Sequence, residues 1–224
     1  MASTIVPVDT PQGQARFFVD LADRPISILV LGHGAGGGVG AADLELLARS
    51  LPPLGITVAR FEQPWRTAGR KVGAPPARLD EAWIAALGWL VEQEWAQQPL
   101  VAGGRSAGAR VACRTAPDTN AVAILCLAFP LHLPGQPEKS RLAELLTPTQ
   151  PRLVVQGSKD SFGTAEELRG AVGKAAGITL VELPGVSHSY RIARSSAVEP
   201  ATLHATLVTE VSRFIATTVG ITTS

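Results

Sequence analysis

Short apolar runs return along the chain with helix-patterned segments between them, and this alternation limits the fold more than any other feature. ISILVLG (26–32) is apolar without a break, as suits a strand buried on both faces of a parallel sheet. ITVARF (56–61), PLVAGG (99–104), AVAILCLAF (121–129), RLVVQG (152–157) and ITLVELPG (178–185) repeat the pattern. TIVPV (4–8) and RFFVDL (16–21), joined by DTPQGQA, read as an antiparallel opening hairpin. Helices are predicted near 41–51, over ARLDEAWIAALGWLVEQEWA (77–96), over 106–116, near 164–175 and near 200–217. In the long one, Leu79, Trp83, Leu87, Leu90 and Trp95 recur at helical spacing and form a core-facing stripe. The expectation is an α/β fold in one domain over residues 1–224: a mostly parallel eight-stranded sheet, helices on both faces and a minimal cap.

Composition narrows the function classes. Acidic and basic residues nearly balance at a formal charge of +1, so neither nucleic acid nor a membrane surface is an expected partner. A small molecule is. MASTIVPVDTPQGQARFF lacks the basic and apolar regions of a leader, and no stretch of about eighteen apolar residues occurs. A cytoplasmic protein is expected. Cys113 and Cys126 fall in a predicted helix and strand, where they act as small hydrophobes. Neither HExxH nor CxxC is present, and no metal or cofactor is expected.

VAGGRSAGAR (101–110) sets Ser106 between glycines where a strand gives way to a helix. Ligands of such sheets bind beyond the carboxyl ends of the strands. GRSAG fits G-x-S-x-G, a turn that exposes a serine hydroxyl while its glycines let strand and helix approach closely. The first helical N–H groups are free, so Ala107 is a candidate oxyanion donor. A serine nucleophile also needs a base and an acid that orients the base. QGSKDSFG places Asp160 after one buried strand, and LPGVSHSY places His188 after the next. Ser106, Asp160 and His188 follow the chain order nucleophile, acid, base. Taken singly, Asp160 could instead cap the following helix and His188 could be a solvated loop residue. Asp118 reads as a turn former and His204 as part of the last helix, whereas His132 is a candidate pocket residue.

GHGAGGG (32–38) admits two readings. As an oxyanion loop it supplies a second donor, the N–H of Ala35 with Gly36 as the alternative, and His33 becomes a positioning residue. Alternatively, Gly32, Gly34 and Gly37 match G-x-G-x-x-G, and Glu62 at the end of the next strand would bind a ribose in a dinucleotide-dependent oxidoreductase. That second reading leaves Ser106, Asp160 and His188 unexplained.

LGHGAGGG, RTAGRKVGAPPARLDEAW, GGRSAGAR, FPLHLPGQPEK, VVQGSKDSFG and VSHSY together resemble the small lidless α/β-hydrolases. That group includes the testis-expressed protein 30 family and the hydrolase-like domain of a chromatin acetyltransferase complex subunit, and its bacterial members are often grouped with dienelactone hydrolases. The resemblance implies a serine hydrolase fold with catalytic positions at Ser106, Asp160 and His188. Dienelactone hydrolases proper carry cysteine where this chain has Ser106, so a cysteine mechanism is not implied. The expected activity is hydrolysis of a small or short-chain carboxylic ester or thioester. The competing class is a binding module that keeps the fold without the reaction. Arg66, Arg70 and Lys71 after strand 56–61, with Arg105 and Arg191, raise the possibility of an anionic substrate; a solvated basic loop explains them equally well.

Overall fold

The computed structural model describes residues 3–192 and 198–221. The opening hairpin, β1 (Thr4–Thr10) and β2 (Gly13–Asp20), leads to β3 (Ser27–Gly32), α1 (Ala42–Ser50), β4 (Ile56–Glu62), α2 (Pro64–Thr67) and α3 (Pro76–Leu90). Then come β5 (Leu100–Arg105), α4 (Ala107–Thr115), β6 (Ala123–Leu127), α5 (Leu142–Leu146), β7 (Arg152–Lys159), α6 (Ala165–Val172), β8 (Ile178–Ser187) and α7 (Pro200–Thr218). The eight strands form one sheet in the order β1-β2-β4-β3-β5-β6-β7-β8. β2 runs antiparallel to β1 and β4, and every other pairing is parallel. Among the described residues no helix is long and apolar enough to cross a membrane.

The unbroken apolar strands are explained by two separate cores. Ile28 and Val30 of β3 pack with Trp83, Leu87 and Leu90 of α3 and Ala109 and Val111 of α4. Leu29 and Leu31 point the other way, toward Leu44 and Leu47 of α1 and Leu203, Leu207 and Val211 of α7. Alternate side chains enter opposite faces, so a strand covered on both sides must be apolar throughout.

The long helix stops sooner than its pattern predicts. α3 ends at Leu90, and Glu94–Ala96 form a separate 3₁₀ turn. The Gln97 amide bonds the carbonyls of Val91 and Gln93, so a polar side chain serves backbone that has left the helix. Trp95 still packs on the core, which accounts for the helical spacing running past the helix. At the other edge β7 and β8 run two residues beyond their predicted ends, through an irregular register, until Lys159 pairs with Ser187. That extension positions the site, because Asp160 and His188 are the residues that follow this pair.

Candidate active site

Ser106 has φ 53° and ψ −110°, a left-handed conformation that a residue with a Cβ adopts only when its surroundings compel it. Its N–H donates to Leu127 O at 2.9 Å. A Cβ on either Gly104 or Gly108 would drive into the carbonyl oxygen of Gly32, so both glycines of G-x-S-x-G let α4 press onto β3. The serine is thereby held above the sheet.

Ser106 Oγ lies 2.9 Å from His188 Nε2. The other ring nitrogen, Nδ1, lies 2.8 Å from Asp160 Oδ2 and 3.0 Å from Oδ1. Asp160 is 2% exposed and accepts further hydrogen bonds from Phe162 N at 2.8 Å and Gln156 Nε2 at 3.1 Å. Buried carboxylates require such donors. With Nδ1–H directed at Asp160, the Nε2 lone pair is left to receive the serine proton. The Phe162 ring stacks on His188 with centroids 4.1 Å apart. Geometry of this kind can draw a proton from Ser106 as the hydroxyl attacks an electrophile.

Ser106 and His188 line a cleft of about 560 Å³ together with Gly34, Ala35, Gly36, Ala107 and Phe162. Ala107 opens α4, so its N–H has no intrahelical acceptor. Ala35 faces the same cleft from the loop after β3, where Gly37 N bonds back to Gly34 O at 3.3 Å. His33 is buried beneath that loop: Nδ1 donates to Gly34 O at 2.9 Å and Nε2 accepts from Gln63 N at 3.2 Å. Burial lowers its pKa. A proton on Nε2 would confront the Gln63 N–H, so neutral His33 braces the loop.

The remaining sequence candidates separate. Arg105 reaches across the site, pairing with Asp43 at 3.0 Å and donating to the His188 carbonyl oxygen. Burial raises the Asp43 carboxyl, while its partner Arg105 opposes that rise. Arg70 is not in the cleft. Its N–H bonds Trp65 O at 3.0 Å, and its side chain lines a separate depression with Gln12, Gln14 and Arg78. Lys71 and Arg191 are exposed and also lie outside the cleft lining. His132 turns Nδ1 to Leu133 O and Nε2 toward Glu167, so Pro130 and Leu133 form that wall instead. Glu62 is bound to Arg16 at 2.6 Å and to Thr67 at 3.2 Å, away from the ribose-binding role of the dinucleotide reading. His204 stacks on Tyr190. Sequence reasoning missed Gln156, Phe162, Asp43, Arg110 and Arg141; Phe162, two residues past Asp160, was the one a local signal could have found.

A family model described as an alpha/beta hydrolase domain matches residues 25–216. The chain belongs to that family. Solved structures agree in fold across nearly the whole length of the hydrolase. An alpha-beta serine hydrolase homologue from Coxiella burnetii is 23% identical, covers 94% of this chain and 98% of its own, and superposes with a TM-score of 0.74. A lidless serine hydrolase from Xanthomonas campestris is 24% identical, with 96% and 95% of the two chains covered and a TM-score of 0.71. A dienelactone hydrolase from Anabaena variabilis is 18% identical, with 96% and 97% covered and a TM-score of 0.72.

Proposed function

We propose that this α/β-hydrolase cleaves a small or short-chain carboxylic ester or thioester through an acyl-enzyme on Ser106. The observation that carries the reading is the continuous hydrogen-bonded line Ser106–His188–Asp160, opening at Ser106 into an accessible cleft. Asp160 holds the His188 tautomer, and His188 takes the serine proton as Oγ attacks the carbonyl carbon. The N–H groups of Ala107 and Ala35 receive the negative charge on the carbonyl oxygen, with Gly36 N–H the alternative to Ala35. His188 then returns its proton to the departing alkoxide or thiolate. In the second half, His188 deprotonates a water that attacks the acyl carbon, and the collapse restores the Ser106 hydroxyl.

What overhangs the cleft supports a small substrate. Between β6 and β7 the chain forms only the five-residue α5, too little for a cap that would enclose a long acyl chain. The test is covalent labelling with a fluorophosphonate, together with hydrolysis of p-nitrophenyl acetate and butyrate. Wild type is expected to label and to turn over both esters. Ser106→Ala should abolish labelling, and Ser106→Ala or His188→Ala should lower kcat by at least roughly 10⁴-fold. A folded wild-type protein that neither labels nor hydrolyses would overturn the reading in favour of a binding module.

A further inference from the structure

The Ser106 cleft has a lopsided charge. Arg105, Arg110 and Arg141 line it, and no aspartate or glutamate does among the described residues. Two of these cations are already committed. Arg105 is held by Asp43, and Arg110 forks onto Glu144 through Nε at 2.7 Å and Nη2 at 2.6 Å. Arg114 shares that carboxylate at 2.9 Å and grips Asp80 with two bonds of 2.9 and 2.6 Å. The Arg141 guanidinium has no hydrogen-bond or ion-pair partner among the described residues, although its backbone N–H is fixed to Leu131 O at 2.7 Å. Arg110 and Arg114 thus take up both carboxylates, and Arg141, on the wall of the cleft, is the third guanidinium and carries the surplus charge. Burial and the neighbouring Arg110 make its charge harder to keep, and attraction to Glu144, which lies beyond ion-pair reach, offsets them only in part.

From this arrangement we infer that Arg141, with Arg110 beside it, forms a subsite for a carboxylate on the substrate, making the preferred ester one that carries a free acid group. A guanidinium presents paired donors matched to a carboxylate, and Arg110 keeps its second Nη free of Glu144. Half-burial in a cleft strengthens the attraction relative to an open surface. The inference rests on the serine-hydrolase reading and adds to it the class of substrate. The acid group can belong to the acyl half or to the alcohol half of the ester.

The experiment compares kcat/KM, by pH-stat, for charged and neutral esters of matched length. Ethyl hydrogen succinate, glutarate and adipate against ethyl butyrate, pentanoate and hexanoate probe the acyl half. 3-Acetoxypropionate against propyl acetate probes the alcohol half. In wild type at least one charged ester should exceed its neutral counterpart, through a lower KM, and added salt should shrink the advantage. Arg141→Ala should lower the charged-to-neutral ratio by about tenfold or more, Arg141→Lys should recover part of it and Arg141→Glu should invert the preference. Turnover of neutral esters with the same ratio in wild type and Arg141→Ala overturns the subsite alone. Absence of labelling and of turnover for every ester overturns the proposed function, and the subsite falls with it.

Discussion

Two loops meet over Ser106, and they are built by opposite means. The loop after β7 is fixed by side chains. Asp160 accepts from Phe162 N, Gln156 bonds Asp160, Phe129 O at 3.2 Å and Gly163 O at 2.6 Å, and His132 N ties down Phe162 O at 3.0 Å. The loop after β3 is mostly bare backbone. It is closed by the turn from Gly37 N to Gly34 O, the bond from Ala41 N to Gly38 O at 3.2 Å, and the buried His33 ring. The proposed proton transfer would tolerate little misplacement, and a polar network with few free rotations suits it. The proposed stabilisation of the oxyanion calls for pre-positioned N–H groups, and here backbone turns and the His33 ring supply that positioning in place of a side-chain network.

If the first loop works through orientation, its largest failure should follow from a change that keeps shape and loses charge. Asp160→Asn leaves an amide in the same space. Its NH₂ group would donate to Nδ1, shifting the His188 proton to Nε2 and pointing N–H at Ser106 Oγ. The expected loss in kcat is roughly 10³- to 10⁴-fold with little change in thermal midpoint, checked by ester kinetics and calorimetry. A loss of less than about tenfold would mean that Asp160 merely packs, and the contrast between the loops would collapse.

A smaller effect tests the brace under the second loop. His33 is buried and neutral, with a pKa lowered from 6.5. As pH falls through 6.5 the unfolded chain takes up this proton before the folded one, so the stability contributed by neutral His33 is complete above that value and is lost below it. Wild type should therefore lose more stability than His33→Gln between about pH 7.5 and about pH 5.5, measured by urea midpoints at equal m-value. Equal losses in the two proteins would show that His33 is not the protonation-sensitive part of the brace.

The same contrast governs what could be read from residues in sequence. Strands such as β3 were legible because burial on both faces demands unbroken apolar character, as Leu29 and Leu31 on one side and Ile28 and Val30 on the other display. That Ser106, Asp160 and His188 would come together was legible because each directly follows a strand of the sheet. The supporting side chains were not. Asp43 supports Arg105 from α1, on the far side of β4 and α3 in sequence, and nothing near either residue announces the partner. The basic segment after β4 misled for a related reason: the turn that bonds Arg70 N to Trp65 O folds the chain toward the β1–β2 hairpin. The cleft's cations arrive instead from the end of β5, from α4 and from the segment before α5.

The glycines of the second loop divide in the same way and give the smallest effect. None of Gly34, Gly36, Gly37 and Gly38 takes the left-handed conformation that favours glycine. Of the four, space constrains Gly34 alone. A Cβ on Gly34 would stand 3.3 Å from Arg105 Nη1 and 3.5 Å from Ser106 Cβ, whereas one on Gly36 meets nothing within 4 Å. Gly36→Ala should therefore keep kcat/KM on an acetate ester within about threefold and, by stiffening the unfolded chain, leave stability equal or slightly raised. Gly34→Ala should lose more activity, since its methyl presses on the arginine that holds the His188 carbonyl and on Ser106 itself. Steady-state kinetics on the two variants decides the matter. If Gly36→Ala were the more damaging, the loop would need backbone freedom at residue 36 to admit the carbonyl oxygen, and Gly36 N–H would replace Ala35 N–H as the second donor.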